Sequence, residues 1–233
     1  MVGPGHAASL GGPGEALPAR ASGWNNPPVA RERDVHAFDV RAPAYETGRL
    51  GRVHHDIVDR TIALALGCAP GAGRVLDVGC GTGYLLRELA RRLPGATDLA
   101  GVDAAPSMVE VARATTLADP RLHFSHGFAE QLHYPAASFD LVVSTTSFDH
   151  WADQRAGLRE CARVLEPGGQ LVLTDLFTLW LVPTLLTSHR GRARTVRRAT
   201  RLLRAAGFQS IRWHRIYTMV LKAVTATAPS GAL

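Results

Sequence analysis

Three glycines at alternate positions, Gly79, Gly81 and Gly83, follow directly on the apolar run Val75-Leu76-Asp77-Val78. Glycine lets a ligand come close to the backbone, and a strand that turns into a helix there offers it N–H donors. Asp77, a carboxylate just ahead of that turn, can face a cationic group. Asp103 ends a second apolar run twenty residues after Gly83, where a carboxylate can accept both hydroxyl hydrogens of a ribose. This combination predicts a nucleoside cofactor. The spacing fits two classes of nucleoside, but the dinucleotide fingerprint Gly-x-Gly-x-x-Gly would need a glycine where Tyr84 stands.

Strands and helices must carry these residues. Apolar stretches of strand length occur at residues 74–78, 99–103, 122–126, 139–144 and 170–175, and stretches with helical spacing at 84–93, 107–117, 153–165 and 195–206. Their alternation predicts an α/β domain, a parallel sheet covered by helices on both faces. Residues 211–216 and 218–226 are strand-like and almost contiguous, too close for a parallel crossover, so an antiparallel hairpin is predicted. Ahead of the first strand, Phe38, Tyr45, Leu50, Ile57, Val58, Ile62, Ala65 and Leu66 predict one or two helices ending near Gly67. Residues 1–29, dominated by Gly, Pro, Ala and Ser, are predicted to be a flexible tail, leaving 30–233 as one domain.

From about residue 38 onward the sequence resembles the class I S-adenosylmethionine-dependent methyltransferase family, whose first motif has the form Asp-x-Gly-x-Gly-x-Gly seen at residues 77–83. Gly127-Phe128-Ala129-Glu130 is similar to the family's Gly-Asp-Ala-Glu segment, with Phe128 in place of the adenine-binding Asp. Residues 138–144 and 164–173 are similar to its fourth strand and the turn into its fifth. The resemblance implies a Rossmann-like, seven-stranded, mostly parallel sheet with an antiparallel last strand. It implies S-adenosyl-L-methionine as donor, with S-adenosyl-L-homocysteine as product. Gly79, Cys80 and Gly81 would then form the close approach, Asp77 would lie beneath the methionine part and Asp103 at the ribose. Ala104, Met108, Phe128, Ala129, Glu130 and Ser144 would complete the cofactor site, with Phe128 able to pack on a purine face. Tyr45 matches a lid tyrosine that could close over donor and acceptor, within a helical lid at about residues 30–67.

In open parallel sheets ligands gather beyond the carboxyl ends of the strands. Phe148, Trp151, Phe177 and Trp180, with Tyr45, are predicted to make an apolar acceptor pocket there, suited to an aromatic or polyketide-like small molecule. A sulfonium donor needs alignment more than covalent help, and a base only if the acceptor must lose a proton. His150 is the preferred base because an imidazole titrates near neutrality, with His55 and Asp149 behind it. No metal-binding cluster is visible. Two other readings stand beside this one: a nucleic-acid methyltransferase, and a non-catalytic protein that keeps the cofactor.

The net charge of +6 suits an anionic partner, but Lys222 is the only lysine among 26 basic residues, as a GC-rich coding sequence would give. Arg190, Arg192, Arg194, Arg197, Arg198, Arg201 and Arg204 lie opposite Val196, Ala199, Leu203 and Ala206 at helical spacing, which reads as a solvated face. Without an aromatic-interleaved basic strip, the sequence argues against a nucleic-acid partner. Cys68, Cys80 and Cys161 fit no disulfide framework, and no secretory or membrane-spanning segment is seen, so a cytoplasmic monomer or homodimer is expected.

Overall fold

The computed structural model describes residues 28–116, 118–177, 195–217 and 220–231. Most of the predicted tail, Leu117, Trp180, Thr218 and Met219 lie outside the described residues.

Two helices, α1 (Pro28–Arg41) and α2 (Gly48–Cys68), precede the sheet. Alternation then begins: β1 (Arg74–Val78), α3 (Tyr84–Arg92), β2 (Asp98–Asp103), α4 (Pro106–Thr115), β3 (Leu122–His126), β4 (Phe139–Thr145), α5 (Gln154–Val164) and β5 (Leu165–Leu176). Helix α6 (Val196–Ala205) and the strands β6 (Gln209–Tyr217) and β7 (Leu221–Thr227) close the fold. The seven strands run in the order β3-β2-β1-β4-β5-β7-β6, and β7 pairs antiparallel with both neighbours while the pairs from β3 through β5 are parallel.

Side-chain alternation splits the core between the two faces of the sheet. Val75, Leu99, Leu141 and Val172 meet Ile62 of α2, Leu86 and Leu89 of α3 and Val109 of α4. Leu76, Val102, Leu171 and Val224 point the other way, onto Leu158 and Cys161 of α5 and Leu203 of α6. Each such leucine, fully removed from water, contributes about 1.5–3 kcal/mol. At the amino ends of the central strands, remote from the glycine turn, Arg74 ties β1 to Asp140 at 2.6 Å and Glu166 at 2.8 Å.

Two strand starts differ most from the sequence expectation. The fifth strand begins at Leu165 rather than residue 170, because Leu165 pairs with Phe139 before residues 166–169 bulge out, with Gly168 at φ 82°, and Gln170 rejoins opposite Leu141. The last strand begins at Leu221 rather than residue 218. Among the described residues no helix is long and apolar enough to cross a membrane.

Candidate active site

Strand β1 ends at Val78, and the next turn is built by glycines in the left-handed region: Gly79 at φ 81°, Gly81 at 52° and Gly83 at 82°. Gly79 and Cys80 both donate their N–H to the Val102 carbonyl, at 2.8 and 3.1 Å, which ties the turn to β2. A Cβ on Gly79 would fall 1.9 Å from Ser147 Oγ, and one on Gly83 2.8 Å from the Phe124 ring. A Cβ on Gly81 would meet nothing within 4 Å. So the chain itself crowds the first and third glycines, and only the second faces open space.

The Asp103 carboxylate braces the same turn, accepting from Gly81 N and Ala105 N, both at 2.8 Å. Burial pushes its pKa up, partly opposed by those two hydrogen bonds. Asp77 is 2% exposed, and its Oδ1 has no hydrogen-bond partner among the described residues. Burial, and then the charge of Asp103, raise the Asp77 carboxyl to about 8. A buried carboxyl with an orphaned oxygen is costly unless something fills its place, and a cation would do so.

Both carboxylates open onto one cavity above the carboxyl ends of β1, β2 and β4, lined by Asp77, Gly79, Cys80, Gly81, Asp103, Ala104 and Met108. Phe128, Ala129, Glu130, His150, Trp151 and Tyr45 line it too. Every one of these is a residue that the sequence singles out. Glu130 accepts from Asp153 N at 3.0 Å, so it also holds the start of α5. Trp151 donates its indole N–H to Ser147 Oγ at 3.0 Å, and its ring packs against the bare Cα of Gly157.

The N-terminal helices form the roof. Asp39 of α1 accepts the Ser107 N–H at 2.9 Å at the start of α4, and Phe38 and Tyr45 pack beside buried Met108 and Ala105. Glu46 links the α1–α2 connection to the turn through Thr82 Oγ1 and Arg87 at 2.6 Å. Burial alone would raise the Glu46 pKa, but the hydrogen bonds from Thr82 and Arg87 outweigh it and hold it low. An aromatic chain crosses the roof, from His150 to Phe38 (5.0 Å between centroids), Phe38 to Tyr45 (6.4 Å) and Tyr45 to His54 (5.1 Å).

Several predicted residues stand elsewhere. Phe148, 2% exposed, packs edge-on against Trp151, and Phe177, 1% exposed, against Trp213, so both belong to the core and not to the acceptor rim. Thr146, held at φ 52°, turns the chain there and directs Phe148 inward. Ser144 is fully buried on β4 and does not reach the cavity. Asp149 lies outside the lining and gives its N–H to Asp175 at 3.0 Å. His55 stacks on Tyr84 at 3.9 Å and sits 3.7 Å from Glu46, outside the lining of the cavity. Trp180 falls outside the described residues.

Sequence reasoning missed His54 and Asp175, and singled out neither Thr145 nor Ser147 within the stretch that follows the predicted fourth strand. His54 lines the cavity, and burial followed by the charge of His55 lowers its pKa to about 4, so it is neutral at physiological pH. It shares a helix face with Val58, Ile62 and Ala65, and that phase was the signal for it. Thr145 lines the cavity with its hydroxyl unpartnered among the described residues. Asp175 is 3% exposed and raised by burial to about 6. Among the described residues no group of three or more His, Cys, Asp or Glu could hold a metal ion, and the three cysteines are free.

A family model described as a methyltransferase domain matches residues 75–169, the stretch from β1 into β5. The demethylmenaquinone methyltransferase of Deinococcus radiodurans is 39% identical over 160 residues, covering 65% of this chain and 65% of that one. The 27-O-demethylrifamycin SV methyltransferase of Amycolatopsis mediterranei is 39% identical over 128 residues, covering 53% of this chain and 45% of that one. In both cases the match spans less than two thirds of the relative's length. Among solved structures, the putative methyltransferase in complex with the Trm112 methyltransferase activator of Haloferax volcanii superposes with a TM-score of 0.73 at 23% identity. That match covers 88% of this chain and 99% of the other, and it shows the same Rossmann-like fold. With its glycine turn, its paired carboxylates and its reversed β7 in one sheet, the chain has the Rossmann-like fold of class I methyltransferases, and its residues 75–169 match a methyltransferase domain.

Proposed function

We propose that this protein transfers the methyl group of S-adenosyl-L-methionine to a small, largely apolar or aromatic acceptor, by O-, N- or C-methylation, leaving S-adenosyl-L-homocysteine. The observation that carries the reading is the orphaned Asp77 oxygen in the wall of a cavity floored by the 79–83 turn. The donor, when bound, supplies a sulfonium that is already a reactive methyl source, so the residues have mainly to bind and orient. Asp77 would face its cationic part and Asp103 its ribose hydroxyls, since a carboxylate oxygen that accepts one backbone N–H still has a lone pair to accept another. Met108, Phe128 and Ala129 would flank the purine.

The acceptor would enter beneath the roof of α1 and α2, which we take as the lid, against Tyr45, Phe38, Trp151 and His54. His150 would take a proton from an acceptor hydroxyl, amine or acidic carbon. The apolar lining supports such an acceptor, and so do the demethylmenaquinone and 27-O-demethylrifamycin SV named for the two relatives. A cytoplasmic setting is supported by the three unpaired cysteines. Calorimetry with S-adenosylmethionine and S-adenosylhomocysteine tests the reading: saturable binding of both is expected, and a folded sample that binds neither overturns it. Labelled donor, incubated with a cell extract and followed by mass spectrometry, then identifies the acceptor.

A further inference from the structure

A second concave surface lies outside this cavity, lined by Arg155, Thr195, Arg197, Arg198, Arg201 and Leu202. Helix α6 buries Ala199 and Leu203 against the core, which leaves its arginines outward. Three of them turn to the same side, toward Arg155 in the first turn of α5. A solvated basic face would spread its charges, whereas four guanidinium groups here share one groove. No ion pair is found for any of the four among the described residues. Asp153, two residues before Arg155, caps α5 through Oδ1, accepting from Arg155 N at 2.9 Å and Ala156 N at 3.1 Å.

This placement opposes what helices favour. Arg197 and Arg198 stand in the first turn of α6, where the helix dipole is positive and acidic residues are preferred, and neither that turn nor its Thr195 N-cap supplies one, whereas at α5 the Asp153 cap does. Arg197 and Arg201 are a like-charge pair four residues apart, which destabilises a helix. Arginine does not shed its charge near neutrality, so the repulsion persists until an anion enters. A bound phosphate would reverse every one of these terms, and guanidinium forks match its oxygens two at a time.

The groove also has a defined position relative to the methyl-transfer site. Helix α5 follows β4, and α6 leads into β6, which runs parallel to β5 because both are antiparallel to β7. Both first turns therefore sit at the carboxyl ends of the parallel strands, where the cavity opens. Trp151 and Ala152 line the cavity and Arg155 lines the groove, so three residues of chain, at most about 11 Å, separate the two.

We propose that this groove is an anion subsite that holds a phosphate or diphosphate group of the acceptor, placing its apolar methyl-accepting end in the cavity. The inference rests on the methyltransferase reading and names the acceptor's class within it: an amphiphile, phosphorylated at one end and apolar at the other. The phosphate belongs either to the small acceptor itself or to the prosthetic arm that tethers it to a carrier.

Inorganic pyrophosphate is the probe. Calorimetric titration at low salt is expected to give saturable millimolar or tighter binding, weakened about tenfold or more in Arg155→Gln and in R197Q/R198Q, with S-adenosylhomocysteine binding measured on every sample. Pyrophosphate that does not bind, or binds the variants as well as the original protein, overturns the subsite. A protein that binds pyrophosphate but not S-adenosylhomocysteine overturns the methyltransferase reading and with it this assignment. In a labelled-donor assay, treating the extract with phosphatase together with a phosphodiesterase that releases prosthetic arms from carriers is expected to abolish the labelled product, and an undiminished product refutes the proposal. Retention of the label in a low-mass filtrate assigns the phosphate to a free acceptor, and its loss from that filtrate assigns it to a carrier.

Discussion

The hydroxyl of Ser147 occupies the space in which a side chain on Gly79 would begin, 1.9 Å from the ideal Cβ position. The first glycine of the turn is thus required by a contact inside the protein as well as by its φ of 81°. Gly79→Ala is expected to cost about 1–3 kcal/mol from backbone strain, with the clash in addition. Gly79→Ala with Ser147→Gly is expected to recover the clash and not the strain. Thermal unfolding of the two variants measures this, and equal melting temperatures would show that Ser147 does not set the requirement.

Titration of Asp77 gives stability a definite pH dependence. Its folded pKa of about 8 lies above the unfolded value, so the native state holds an extra proton across that window and loses stability as pH rises through it. Asp103 and Asp175 are raised as well and act in the same direction. His54 has the opposite sign: its folded pKa is lowered to about 4, so stability rises with pH up to its unfolded value of 6.5. The two tendencies oppose each other in acid, and above about pH 6.5 the decline stands alone. Denaturant midpoints are expected to fall from pH 6.5 to 8 in the ligand-free protein, and to fall less steeply in Asp77→Asn.

Proton release should accompany donor binding. A cation beside Asp77 favours the ionised carboxylate. Calorimetry at pH 7 in two buffers of different ionisation enthalpy is expected to show release of a fraction of a proton, disappearing in Asp77→Asn. Identical heats in both buffers would remove Asp77 from the cationic end of the ligand.

The roof is fastened at few points. Asp39 holds the Ser107 N–H, and Glu46 holds Thr82 and Arg87. In Asp39→Ala with Glu46→Gln, hydrogen exchange over residues 35–47 is expected to accelerate while β1, β2 and β4 keep their protection. Affinity for S-adenosylhomocysteine is expected to drop about tenfold, or 1.4 kcal/mol. Unchanged exchange would mean that apolar packing of Phe38 and Tyr45 holds the roof by itself.

Phe148 and Phe177 are expected to behave as core residues. Truncating either to alanine should cost about 3–5 kcal/mol by chemical denaturation. His150→Asn should leave stability within about 0.5 kcal/mol and lower labelled product about a hundredfold. A Phe177→Ala variant of full stability and altered product would return that ring to the acceptor site.

The contrast shows which features a sequence displays. The 79–83 turn and Asp103 are legible because glycines at positive φ and a carboxylate at a strand end follow local rules that hold wherever the segment folds. The reversed β7 is legible because the linker is too short for a crossover. Phe148 and Phe177 are not, since an aromatic just past a strand end reads alike whether it turns in or out. The decision falls to the positive φ of Thr146 and to the grip of Asp175 on the Asp149 N–H, which bring together residues 26 apart in sequence. His54 and His55 differ by one position, and only the phase of Val58 and Ile62 separates the one under the roof from the one stacked on Tyr84.

The interposition of β7 between β5 and β6 sets synthesis against assembly. β6 leaves the ribosome first, yet it has no neighbour to bond until β7 has emerged and docked on β5. Half the sheet, β3 through β4, can close as it is made, while the Leu171 and Leu173 side of the core waits for Val224 and Ala226. A stop codon that removed one strand would therefore disable two.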